Sequence, residues 1–182
     1  MQAATLGFRA KTGRAIAVAL SSDKRSPVFV GRWEILLCDP RIPATGQPYH
    51  EVMHLPWAEA EIQVAQYTRE IEAITVAALK QLRAELASKN FQLSAIGIVG
   101  SADRALNKIG NPHIRAHAAE GILFRRVLEY AARMVEVTYH SFLEKQLSLD
   151  KNPEIGRAAG KPWRADERAA AAAAWAVQPL LS

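Results

Sequence analysis

His113, His117 and Glu120 stand at i, i+4 and i+7 of a stretch patterned as a helix. That spacing lines three side chains along one face, and two imidazoles four residues apart are good donors to a transition ion. Asp103 and Asp166 are the acids that could complete such a set around a metal ion for phosphoester hydrolysis. The competing reading is a polar helix face with an ion pair, because His-x3-His without the glutamate of a metalloprotease motif is a weak signal.

A second candidate is the segment "GSADRALNKIGNP", residues 100–112, placed between an apolar strand pattern and a helix start. Loops after strand carboxyl ends are common ligand sites in α/β sheets, and a helix start offers free N–H groups to an anion. Ser101, Arg104, Lys108 and Arg115 are its anion-binding candidates, although no P-loop or GxGxxG pattern is present. Arg9, Lys11 and Arg14 crowd a turn near the start of the chain. Arg125, Arg126, Arg133 and Lys145, with Tyr130 and Trp163, are a third basic set dotted with aromatics that could form a surface for nucleic acid. The net charge of +5 points the same way, toward DNA or RNA as partner. Plain solvated loops and helix faces account for each of these sets equally well. Cys38, beside Leu36 and Leu37, reads as a small apolar residue rather than a nucleophile, and no Ser-His-Asp motif is visible.

The elements that must position these groups follow from periodicity. Thr5–Arg9 and Arg14–Leu20 flank "AKTG", where Gly13 can take the positive φ of a tight turn. A third strand carries Trp33, Ile35 and Leu37 on one face, with Gly31 marking a bulge or a close approach. "QPYHEVMHL" is read as a short strand. Residues 57–89 form a long helix with Ile71, Ile74, Ala78, Leu82 and Leu86 as its apolar stripe, opened by Pro56 and closed by Asn90. "FQLSAIGIVG" is a buried strand, Asn111 and Pro112 open a helix to Met134, and "VEVTY" is a further strand. Residues 148–163 read as a mobile loop, and "RADERAAAAAAWAVQPLL" as a closing helix. A hairpin followed by strands separated by helices implies a mixed sheet, parallel in its second half.

This order resembles the ribonuclease H-like superfamily, and within it the RuvC-type Holliday-junction resolvases. "LGFRAKTGRAIAVAL" is similar to that family's opening Gly-x-Asp strand, Thr-Gly turn and second strand. "NPHIRAHAAEGILFRRVLEYA" with "VEVTY" looks like its central helix and next strand, and "GKPWRADERAAAAAAWAV" like its last helix. The resemblance implies carboxylates on the first strand, the fourth strand and the last helix, holding two magnesium ions for phosphodiester cleavage. Here the first acid falls on Arg9, the second falls within acid-free "AIGIVG", and only Asp166, with Glu167, matches the third.

The resulting expectation is one α/β domain over 1–182, ribonuclease H-like, with helices packed on a mixed sheet that opens with an antiparallel hairpin. Its catalytic site is degenerate: Arg9 pairs with Asp166 or Glu167, no cofactor is needed, and the role is binding or assembly, with a nucleic-acid connection. One alternative is a phosphodiesterase using Asp103, His113, His117, Glu120 and Asp166, with Glu167 beside Asp166, around Mg, Mn or Zn. Another is a structural module that dimerises through the long helix. No apolar run of membrane-spanning length, no secretion signal and a single cysteine give a cytoplasmic expectation.

Overall fold

The computed structural model describes residues 1–23, 26–148 and 153–178. Five strands form one sheet, β1 (Gln2–Lys11), β2 (Arg14–Asp23), β3 (Ser26–Leu36), β4 (Phe91–Val99) and β5 (Thr138–Phe142), in the order β3-β2-β1-β4-β5. β1, β2 and β3 pair antiparallel, whereas β1–β4 and β4–β5 are parallel. The hairpin turn places Gly13 at φ 72°, as "AKTG" requires. The β2–β3 register slips between Ala19 and Leu20, opposite Gly31 and Phe29, so the bulge predicted at Gly31 is present. A Cβ at Gly31 would lie 2.4 Å from the Trp33 ring, so the close approach comes from its own strand.

Alternation along the strands assigns the two faces of the sheet. Leu6, Phe8, Ala15, Ala17, Ala19, Ile96 and Ile98 share one core with α3 (Trp57–Ser88) and α4 (Pro112–Met134). Ile16, Val18 and Leu20 point the other way, onto α5 (Pro153–Ala159) and α6 (Ala165–Ala176). On that face Gly7 and Gly97 are direct partners on neighbouring strands. An added Cβ would lie 1.8 Å from the Ala170 carbonyl oxygen at Gly7, and 2.3 Å from that of Ala173 at Gly97. The alanine run and the two glycines are therefore two sides of one fit: a helix without side-chain bulk lies in a trough without Cβ atoms. Thr5 Oγ1 fastens it by donating to the Ala174 carbonyl at 2.7 Å.

Helix α3 runs unbroken for 32 residues, about 48 Å at the α-helical rise. Its buried stripe is Ala60, Val64, Ile71, Thr75, Leu79, Leu82 and Leu86, so the predicted stripe is rotated: Ile74 and Ala78 are only half-buried. At its far end Asn90 takes φ 65° and stops the helix. There Glu85 accepts from Trp33 Nε1 at 2.9 Å and from Lys89 at 2.7 Å, joining α3 to β3.

Three expectations need correction. "QPYHEVMHL" forms no strand. Pro43–Gly46 (α1) and Pro48–Glu51 (α2) are short helices, each with proline in its first turn, where the missing N–H costs nothing. The strand at "VEVTY" begins three residues later, because Val135 caps α4, Glu136 turns to φ 56°, and Val137 N–H donates back to the Ala132 carbonyl. Within 148–163, residues 149–152 lie outside the described set, and 153–159 are helix α5 with Ile155 buried. Among the described residues no helix is long and apolar enough to cross a membrane.

The loop before α2 is pinned by Thr45, fully buried, which accepts from Asp39 N–H at 2.9 Å and donates to the Ile42 carbonyl at 2.7 Å. The Arg41 guanidinium, then the Arg41 backbone N–H, holds the Asp39 carboxyl at about 2. A depressed carboxyl stabilises fully above its unfolded pKa, and that contribution fades as pH falls toward 2. Arg41→Ala is expected to raise the Asp39 midpoint in a carboxyl NMR titration. An unmoved midpoint would contradict the assignment.

Candidate functional site

Where β1 and β4 end side by side, Arg9 is the register partner of Val99. Arg9 Nη2 lies 2.9 Å from Glu144, and its Nε lies 3.5 Å from Asp166 Oδ1, near enough for charge attraction but without hydrogen-bond geometry. Lys11 Nζ reaches Asp166 Oδ2 at 3.3 Å. Asp166 sits in the first turn of α6, and the glycine trough fixes where that turn meets the sheet. The expected Arg9 partner is thus Asp166. Glu167 instead turns inward, 7% exposed, and accepts from the Arg164 N–H at 2.9 Å to close its own helix start. Glu144, which sequence reasoning missed, arrives from a 3₁₀ turn after β5 (Glu144–Gln146).

A pair of magnesium ions needs several hard oxygen ligands at one point. This edge offers Asp166 and Glu144, but Arg9 and Lys11 lie against them and Val99 occupies the neighbouring strand. Two cations within salt-bridge distance oppose a divalent ion by direct repulsion. The residues present do not fit a two-metal site.

The loop after β4 is drawn onto α4. Arg125 Nε donates to the Ser101 carbonyl at 2.9 Å, and the Arg125 and Arg126 guanidinium groups hold Asp103. Arg125 also pairs with Glu129. Ser101 lies over Gly121, whose added Cβ would meet Ser101 Oγ at 2.4 Å. Asp103 is therefore an arginine partner, apart from Asp166 and from the histidines. Arg104 and Lys108 stay exposed on the loop, Arg115 covers the Trp57 ring at 5.3 Å, and Arg14 is engaged by Glu34 at 2.8 Å. Hydrogen bonding to Glu34 raises the Arg14 pKa further. The third basic set does not form one surface: Tyr130 lies on α4, whereas Trp163 packs on Phe29 across the other face of the sheet. Burial, with Asp39 beside it, pushes the Cys38 thiol up, which disfavours the thiolate a nucleophile needs.

The histidines come together as predicted, but with a different third member. His113 Nε2 and His117 Nε2 are 3.1 Å apart, and His50 of α2 closes the group, its ring centroid 4.4 Å from that of His117 and 5.0 Å from that of His113. Glu120 is wholly buried and lies behind His50, with Oε1 2.8 Å from His50 Nδ1 and accepting from the His50 N–H at 3.1 Å. It is therefore no direct member of the cluster, because its carboxylate is turned to His50. A stack of Tyr49 on Trp57, with centroids 5.4 Å apart, seats α2 against the start of α3. Ser101 lies opposite Gly121, eight residues after His113 and four after His117, so α4 carries His117 about one turn and His113 about two turns past the loop that follows β4.

No family model matches the sequence, and no curated protein matches it. Among solved structures the chain is similar to Thermus thermophilus RuvC, at 10% identity over 94% of this chain and 91% of that chain, with a TM-score of 0.50. It is equally similar to T. thermophilus RuvC in complex with Holliday junction substrate, at 11% identity over 94% of this chain and 90% of that chain, TM-score 0.50. With the mixed sheet in the order β3-β2-β1-β4-β5 and helices packed on both faces, the chain has the α/β fold of the ribonuclease H-like class.

Proposed function

We propose that this chain is a ribonuclease H-like domain that binds nucleic acid without cutting it, its metal-dependent nuclease position having become a cluster of ion pairs. The observation that carries this reading is the guanidinium of Arg9, held between Glu144 and Asp166 where the resemblance calls for the first metal-binding carboxylate. The net charge of +5 and the exposed Arg104 and Lys108 beside the β4 loop supply phosphate attraction. One structural neighbour is recorded with a Holliday junction, which makes branched DNA the first ligand to try.

Fluorescence anisotropy with labelled four-way-junction and duplex DNA tests the reading. Binding is expected at low salt, with affinity falling about tenfold or more from about 50 to about 200 mM salt, the loss that two phosphate contacts produce. Incubation with magnesium or manganese should leave both DNAs intact. Failure to bind either DNA at low salt would overturn the binding role. Metal-dependent cleavage abolished by Asp166→Asn would overturn the degenerate site.

A further inference from the structure

We propose that His50, His113 and His117 form a binding site for a zinc-like transition ion, distinct from the strand-edge ion pairs and independent of the nucleic-acid reading. Each imidazole presents one nitrogen, and the three nitrogens lie within 4.8 Å of one another. With Zn–N bonds of 2.0–2.1 Å, the edge of a tetrahedral site is about 3.3 Å. The His113–His117 separation of 3.1 Å is already at that value. Small rotations of the remaining ring would complete three corners.

His50 and Glu120 supply the second observation. Glu120 sits within the apolar stripe of α4, among Ala116, Ala119, Leu123 and Phe124, where a carboxylate is costly unless it has work to do. A carboxylate can only accept, so opposite it, at 2.8 Å, His50 Nδ1 is the protonated nitrogen of the neutral ring and the lone pair is on Nε2. That Nε2 is buried and has no hydrogen-bond partner among the described residues. A buried acceptor left unpaired, on a ring oriented by a buried carboxylate, is the arrangement a metal ligand needs: the carboxylate orients the imidazole and raises its basicity. His113 and His117 are exposed, so the fourth corner faces solvent and would take water or an exogenous anion. Three neutral nitrogen donors favour zinc, cobalt, nickel or copper over magnesium or calcium.

Untagged full-length chain, stripped with chelator, should bind one equivalent of zinc in a calorimetric titration and ignore magnesium. Cobalt(II) should give the visible d–d bands of tetrahedral coordination. His113→Ala and His117→Ala, both at exposed positions, should each abolish the bands, and Glu120→Gln should weaken zinc binding by about 10- to 100-fold while leaving one equivalent. His54→Ala, an exposed histidine outside the cluster, is the control and should leave binding unchanged. Circular dichroism in chelator shows that each variant is folded. If His50→Ala does not fold, the two exposed variants still decide. No tetrahedral cobalt spectrum, or a spectrum that survives His117→Ala, would overturn the site and identify the group as a hydrogen-bonded histidine cluster. Loss of DNA binding without loss of zinc binding would strike only the nucleic-acid reading.

Discussion

Gly7→Ala is expected to lower the stability of the domain by about 3 kcal/mol or more. Overpacking costs about 1–3 kcal/mol where neighbours can adjust, and more where they cannot. Here the new Cβ would meet the Ala170 carbonyl oxygen at 1.8 Å and the Ala174 nitrogen at 2.6 Å, both backbone atoms of α6. No rotamer change relieves such a clash, so α6 must lift. Lifting it uncovers Ala170, Ala171 and Ala174 and strains the Thr5–Ala174 hydrogen bond. For a chain of this size each kcal/mol moves the melting temperature by about 2–4 °C, so a drop near 10 °C is expected in a thermal scan. Gly110→Ala is the matched control. Nothing lies within 4 Å of its added Cβ, and the effect should stay within about 0.5 kcal/mol. A Gly7→Ala protein melting within 2 °C of the parent, by the same scale, would refute the close seating of α6.

On the other face, Phe124→Ala should cost about 3–5 kcal/mol, the range for deleting a wholly buried aromatic ring. Phe124 is 0% exposed and belongs to the core shared by Leu6, Phe8, Ile96 and Ile98, so its ring fills the space between α4 and the centre of the sheet. The loss combines the transfer energy of the ring with the void left behind, because strands already locked on both sides collapse little. Phe124→Leu should recover most of it. Urea denaturation with an unchanged m-value would assign the loss to stability rather than to a more open native state. A cost below about 1 kcal/mol would mean that α4 repacks freely, and it would remove the reason for its fixed position beneath His113 and His117.

Local chemistry and side-chain period made much of this architecture readable. Gly13, Asn90, Asn111 and Pro112 each have a backbone role that only a few residue types can take, and each stands where the pattern placed it. Strand alternation put Trp33, Ile35 and Leu37 on one face, and all three meet the core shared with α3 and α4. The misreadings came where one local rule overrode another. Val135 and Val137 have strand chemistry, but the termination of α4 buries them first. Proline in the first turn carries "PYHE" into a helix although its pattern is too short to declare a period.

The candidate sites divide the same way. His113 and His117 share a helix, so spacing alone brought them together. His50 comes from a separate short helix, 70 residues before Glu120, and no local pattern reports such a meeting. One signal was nonetheless available: continuing the α4 stripe through 116, 119, 123 and 127 places Glu120 on the buried face. A buried carboxylate requires a partner from elsewhere, even when the sequence does not say which. The encounter of Arg9 with Asp166 was legible through the family resemblance, whereas Glu144 depended on the path of the chain after β5.

The glycine trough also dictates an order of assembly. It exists only once β1 and β4 lie side by side, and these strands are separated in the chain by β2, β3 and the helices α1 to α3. The Thr5–Ala174 bond spans 169 positions, so closing it early would cost more chain entropy than pairing the strands. Loop-closure entropy therefore favours docking of α6 after the sheet has formed, and the Arg9–Asp166 pair forms with that docking. Until then Glu144, which arrives with β5, is the acid that faces Arg9 at the strand ends.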